Sequence, residues 1–170
     1  DWILKHMDDS DITFEDLTNS LGVLVVAGPK SRSLIERCSL SNFDNEHFPW
    51  LSANNINVGL APAFAMRVNF VGELGWELHH PIEYQNLIFD TLFSKGGDLN
   101  IQPFGIRAMD SLRIEKSYRL PGRELSIEYS ALESGLDRFV SENKGDFLGR
   151  NGLAEWKSKG FLNSFITLEV

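Results

Sequence analysis

Phe64, Met66, Val68 and Phe70 alternate with Ala65, Arg67 and Asn69, and Trp76 and Leu78 alternate with Glu77 and His79. A period of two is the mark of a strand with one buried face, so residues 64–80 are predicted to form a hairpin. Gly72 and Gly75 bracket its turn, where they are expected to supply positive φ angles and add no side chain. The run Leu21–Ala27 reads as a continuous apolar strand, and Ile12–Phe14 as a short one. Gly28-Pro29 then opens a helix to about Cys38, with proline in the first turn where its missing N–H costs nothing. Residues 48–51 and a turn at Asn54-Asn55 lead into the hairpin. After Pro81, Tyr84, Leu87, Ile88, Thr91 and Leu92 recur at helical spacing, which predicts a helix from about Ile82 to Lys95, closed by Gly96-Gly97. A further helix over 104–118 is expected to bury Phe104, Ala108 and Leu112 and to pair Glu115 with Arg119. Phe147–Lys159 is the last predicted helix and 163–170 the last predicted strand. The order gives an α+β fold of mixed or antiparallel sheets with packed helices.

Composition narrows the class. The 170 residues are 42% hydrophobic and 24% charged, enough for a real core in one or two units. A net charge of −8 argues against general nucleic-acid binding. No apolar run has the length of a membrane span, and no signal peptide opens the chain. The single cysteine, Cys38, excludes an internal disulfide and a cysteine-based metal cluster; it falls on the apolar stripe of its helix and reads as core.

Candidate chemistry is sparse. Glu73 sits between two glycines on the hairpin rim. It is either a solvated acid at an ordinary turn or a carboxylate with both oxygens free to accept from two adjacent N–H donors of a planar ligand. Arg107, Arg113, Lys116, Arg119 and Arg123 crowd a short span of an acidic chain. They are either solvated helix faces pairing with Asp110, Glu115 and Glu124, or a patch for an anionic ligand. Gly28-Pro-Lys-Ser31 lacks the Gly-x-x-x-x-Gly-Lys-Ser/Thr spacing of a phosphate loop and reads as a helix start. His79 and His80 are strand neighbours facing opposite ways without a spaced third ligand, so no metal site is assigned. No Gly-x-Gly-x-x-Gly occurs, so this segment does not itself hold a flavin dinucleotide.

Three ordered blocks carry a resemblance. Val71-Gly-Glu-Leu-Gly-Trp-Glu-Leu78 resembles the Thr-Gly-Glu-Asp-Gly-Phe-Glu-Ile stretch of the aminomethyltransferase (glycine cleavage T-protein) family. Phe104-Gly-Ile-Arg-Ala-Met-Asp-Ser-Leu-Arg-Ile-Glu115 resembles its Gly-Leu-Gly-Ala-Arg-Asp-Ser-Leu-Arg-Leu-Glu helix. Ala131-Leu-Glu-Ser-Gly-Leu136 resembles its Pro-Leu-Glu-Ala-Gly-Leu segment. Together they cover residues 20–170. The variant wording, with Lys116-Ser-Tyr-Arg119 after the helix, is most similar to the folate-binding C-terminal half of flavin-dependent dimethylglycine and sarcosine dehydrogenases. Met109 stands where the T-protein has arginine, so that arginine's role does not transfer.

The resemblance implies tetrahydrofolate as cofactor, with Glu73 on the pterin's 2-amino and N3–H edge and Arg107 and Arg113 as candidates for the glutamyl tail. It implies that FAD, bound to a flavin domain elsewhere in the same polypeptide, oxidises an N-methyl amine substrate, whose one-carbon unit is captured as methylenetetrahydrofolate. A free-standing aminomethyltransferase or demethylase and a non-catalytic iron–sulfur assembly factor are the alternatives. No catalytic residue is assigned: the family's aspartate is expected upstream of this segment, and none of Asp8, Asp9 and Asp11 sits in its motif. Asp1–Met7 reads as the end of an amphipathic helix and 163–170 as a strand without a following turn. The chain is therefore expected to be an internal fragment. Residues 1–160 would be part of a folate-binding domain lacking its N-terminal portion, and 161–170 the first strand of a truncated β-rich domain. The expected compartment is cytoplasm for a bacterium and mitochondrial matrix for a eukaryote.

Overall fold

The computed structural model describes residues 2–7, 11–141 and 143–168. The chain divides into two compact units, the first formed by residues up to 69 and 73–103, the second by 70–72 and 104 onward. Asp8, Asp9 and the closing Glu169-Val170 lie outside the described residues.

In the first unit a short helix α1 (Trp2–His6) precedes strand β1 (Leu21–Ala27), helix α2 (Ser31–Cys38) and strands β2 (Ala53–Val58), β3 (Ala61–Met66) and β4 (Gly75–Pro81); a single 3-10 turn then enters helix α3 (Gln85–Gly96). The four strands form one antiparallel sheet in the order β1-β4-β3-β2. This is the α+β architecture expected from the sequence. Strand alternation sends Val26, Leu78, Trp76, Ile56, Val58, Ala61, Ala63 and Ala65 inward, where they meet Leu34, Ile35 and Cys38 of α2 and Ile88 and Leu92 of α3. Trp76 is fully buried, with Phe43 and Phe48 edge-on to its ring at 5.6 and 6.1 Å. On α3 the predicted stripe is narrower than expected: Ile88 and Leu92 are buried, whereas Leu87 is exposed.

Several local expectations differ. Ile12–Phe14 belongs to no strand; both apolar residues are exposed, and three residues without a partner strand cannot satisfy their backbone. Asn54-Asn55 lies inside β2, not in a turn, and the tight connection is Gly59-Leu60 between β2 and β3. In the predicted hairpin, β3 faces its alanines inward and stops at Met66, because the Val68 N–H turns back to the Met66 carbonyl at 2.8 Å. Residues 67–74 form a broad loop, and only three residue pairs join β3 to β4. Gly72 has the positive φ predicted for it, at 72°, but Gly75 does not. Gly96 is the last residue of α3, and the turn after it is stopped by Asn100 in the left-handed region.

In the second unit helix α4 (Ile106–Glu115) is shorter than 104–118, and the buried residue on it is Arg113, while Phe104 and Ala108 are exposed. Arg119 donates to the Ser134 and Ser117 carbonyls, a different arrangement from the predicted pairing with Glu115. Helix α5 (Arg150–Lys159) follows. Residues 163–168 are in no strand; the Phe165 N–H instead donates to the Glu133 carbonyl at 2.9 Å.

Candidate functional site

The backbone around Glu73 is fixed from both sides. Asn69 spans it, its Nδ2 donating to the Glu73 carbonyl and its Oδ1 accepting from the Glu73 N–H at 3.3 Å. The carbonyl of the next residue, Leu74, accepts from the Gly28 N–H at 2.8 Å and from the Ser31 hydroxyl at 2.9 Å. The Gly28-Pro-Lys-Ser31 turn therefore serves the loop carrying Glu73, and Ser31 is buried in doing so. Gly75 follows, so close to β1 that a Cβ would lie 2.6 Å from the Val26 carbonyl oxygen. Glycine is required there by close approach, not by a positive φ.

Glu73 itself is exposed, and its carboxylate has no hydrogen-bond or ion-pair partner among the described residues. A rigid backbone and a free side chain leave two oxygens available to a ligand with paired donors. The flanking polar strand residues are engaged elsewhere. His79 lies 3.2 Å from Glu77, and the buried His80 contacts the Leu78 carbonyl at 2.8 Å and the Gln85 amide oxygen at 2.7 Å. On the sheet face opposite the core a groove of about 540 Å³ is lined by Asn55, Pro62, Phe64, Met66 and His79; Glu73 is not among its residues.

A second cationic feature of this unit went unread in the sequence. Arg32 and Arg67 lie 6.0 and 5.8 Å from the Trp76 ring centre and, among the described residues, are bonded to neutral acceptors, the Asn45 amide and the Phe48 carbonyl. Burial, together with the charge of Arg32, lowers the basicity of Arg67.

In the second unit Arg113 is 1% exposed. Its Nε donates to Asp110 at 2.7 Å, and its Nη1 donates to Glu124 and to the Tyr118 carbonyl, each at 2.8 Å. Burial pulls its basicity down, yet the two carboxylates hold it above the ordinary value. The Arg113 hydrogen bond keeps Asp110 below the usual carboxylate range. Glu124 is also held low, burial opposing the bonds from the Leu120 N–H and Arg113. Arg107, on the first turn of α4, is exposed. Glu73 thus belongs to one unit and Arg107 and Arg113 to the other. Asn69 and Ser31 were missed in the sequence because they act on backbone atoms, in the case of Ser31 across 43 positions.

Among the described residues no helix is long and apolar enough to cross a membrane, and no group of three or more potential ligands gathers for a metal.

A model of the GCVT N-terminal domain matches residues 1–144. The chain is 35% identical over 161 residues to mitochondrial dimethylglycine dehydrogenase of Homo sapiens, an alignment covering 94% of this chain and 19% of the relative. The enzyme of the same name from Rattus norvegicus is 33% identical over 161 residues. An aminomethyltransferase of Thermoanaerobacter pseudethanolicus is 25% identical over 169 residues, covering 99% of this chain and 46% of the relative. The chain thus spans about a fifth of the dehydrogenases and just under half of the transferase. With most of its length under one family model, and relatives of two enzyme kinds aligned along nearly all of it, the chain belongs to the GCVT N-terminal domain family.

Proposed function

We propose that this chain is the tetrahydrofolate-holding part of a flavin-dependent N-methyl amine dehydrogenase of the dimethylglycine or sarcosine type. The observation that carries the reading is Glu73: an unpaired carboxylate on a backbone fixed by Asn69, Gly28 and Ser31. Its two free acceptors fit the 2-amino and N3–H edge of a pterin, each charge-assisted bond contributing roughly 1.5–3 kcal/mol. When bound, the reduced folate accepts the one-carbon unit released from the amine. Glu73 orients that cofactor and moves no proton. The exposed guanidinium of Arg107 is assigned to the carboxylates of the tail. Arg113, committed to Asp110 and Glu124, supports α4 from within.

The dehydrogenase assignment is favoured by the 35% identity to the human enzyme and by Lys116-Ser-Tyr-Arg119. In this reading FAD and the site of amine oxidation lie on a flavin domain of the same polypeptide, in the mitochondrial matrix of a eukaryote or the cytoplasm of a bacterium. A free-standing aminomethyltransferase is the second reading, favoured by an alignment that runs over 99% of the chain. A flavin-binding Gly-x-Gly-x-x-Gly region in the same reading frame distinguishes them.

Titration calorimetry with 5-formyltetrahydrofolate tests the site. Glu73→Gln is expected to weaken binding about tenfold or more, because a neutral amide cannot accept from both donors. Equal affinity of variant and wild type removes the reading.

A further inference from the structure

We infer that Lys116 is a positioning residue for the Glu73 turn, acting through its hydrocarbon stem and not its charge; the inference rests on the role assigned to Glu73 above. Residues 70–72 belong to the second unit, although Asn69 and Glu73 on either side belong to the first. The turn that ends α4 holds them there. The Lys116 stem occupies the space in which a side chain at Gly72 would stand: an ideal Cβ there would overlap Cγ and lie 2.8 and 3.0 Å from Cδ and Cε. Phe70 stacks on Tyr118 with ring centres 6.0 Å apart and planes inclined by 30°. Val71, between the two contacts, is buried.

Lys116 and Tyr118 are themselves held. Ser117 between them has φ 59°, and its N–H donates to Ile114 while that of Tyr118 donates to Arg113, each at 2.9 Å. The Arg113 side chain bonds back to the Tyr118 carbonyl. A continuous series of contacts therefore runs from the buried arginine through the 116–118 turn to residues 70–72, and Glu73 is the next residue in the chain. The Lys116 ammonium has no hydrogen-bond or ion-pair partner among the described residues, whereas three of its carbons lie over Gly72. An uncharged side chain of similar length should preserve the contact, and a truncated one should lose it.

The whole protein, with Lys116→Ala and Lys116→Met, provides the test through two measurements. In the ligand-free protein, amide hydrogen exchange at Gly72 and Glu73 is expected to accelerate about tenfold or more in Lys116→Ala and to stay within about twofold of wild type in Lys116→Met. Calorimetric binding of 5-formyltetrahydrofolate should weaken about fivefold in Lys116→Ala and be retained in Lys116→Met, with unchanged melting temperatures. Equal losses in both variants would show that the charge acts and overturn the proposal, as would unaltered exchange in Lys116→Ala. If the exchange pattern splits as expected but wild-type protein binds no folate, the reading of Glu73 fails and the stem's hold on the turn stands.

Discussion

Gly75 and Ala27 face each other across the β1–β4 ladder, and a Cβ on Gly75 would lie 2.6 Å from the Val26 carbonyl oxygen and 3.1 Å from the Ala27 Cα. Both obstacles are backbone, which cannot rotate aside as a side-chain tip can. Gly75→Ala is therefore expected to destabilise the protein by about 1–3 kcal/mol. Urea unfolding followed by tryptophan fluorescence checks it, since Trp76 is the adjacent core residue. A midpoint equal to wild type would mean that the strands separate without cost.

Arg113 supports a different set of contacts. Removing it takes a shared cation from Asp110 and Glu124, although Arg123 still reaches Asp110 at 2.9 Å, and frees the Tyr118 carbonyl. Both carboxylate side chains keep over a quarter of their surface in solvent, at 27% and 28%, so water takes up part of the loss. Arg113→Met is expected to cost about 2–4 kcal/mol. Arg107→Met, at an exposed position, should stay within about 0.5 kcal/mol. Similar losses in the two variants would contradict this account of the cluster.

Asp110, Glu124 and Glu133 all have carboxyl groups held below their ordinary values. The causes are the Arg113 hydrogen bond for Asp110, the Leu120 N–H and Arg113 acting against burial for Glu124, and the Ser130 N–H for Glu133. A carboxylate that binds protons less readily in the folded state than in the unfolded one stabilises the fold at high pH. That contribution is complete above about pH 5, well over the unfolded values near 4, and drains away as pH falls through the folded values. Stability should be level from pH 7 to about 5.5 and decline steadily below about pH 4. In Arg113→Met the acid branch should be shallower, and an identical slope in both proteins would dissociate Arg113 from these carboxylates.

Leu51 lies in the left-handed region at φ 64°, while its side chain is 63% exposed. The conformation is costly for a branched side chain and little burial is at stake. Leu51→Gly is expected to raise stability by about 0.5–1 kcal/mol, visible as a higher melting temperature. A lower one would indicate that Leu51 packs more than its exposure suggests.

Much of the first unit was legible. The Leu21–Ala27 run, the Gly28-Pro29 helix start and the Ile88–Leu92 stripe follow from periodicity and stop signals, because local backbone chemistry sets them. Several of the misreadings share one cause, which is contact between residues distant in sequence. Apolar spacing assigns the inner face of α4 to Phe104, Ala108 and Leu112, whereas a buried guanidinium takes it, its charge neutralised by Glu124 eleven residues on. Sequence shows that Gly75 is glycine but not whether conformation or crowding demands it. Glu73 stood out through its motif. Asn69 and Ser31, which hold its backbone, carry no comparable signature, since many residues can donate to a carbonyl.

Residues 70–72 are synthesised before any part of 104–168 exists. At about 5–20 residues per second, roughly two to nine seconds pass before Lys116 and Tyr118 are made. The tip of the 67–74 loop thus waits for α4 and its following turn to be translated before Lys116 and Tyr118 can pack against it. The contacts on Phe70 and Gly72 are accordingly late acquisitions in the order of synthesis.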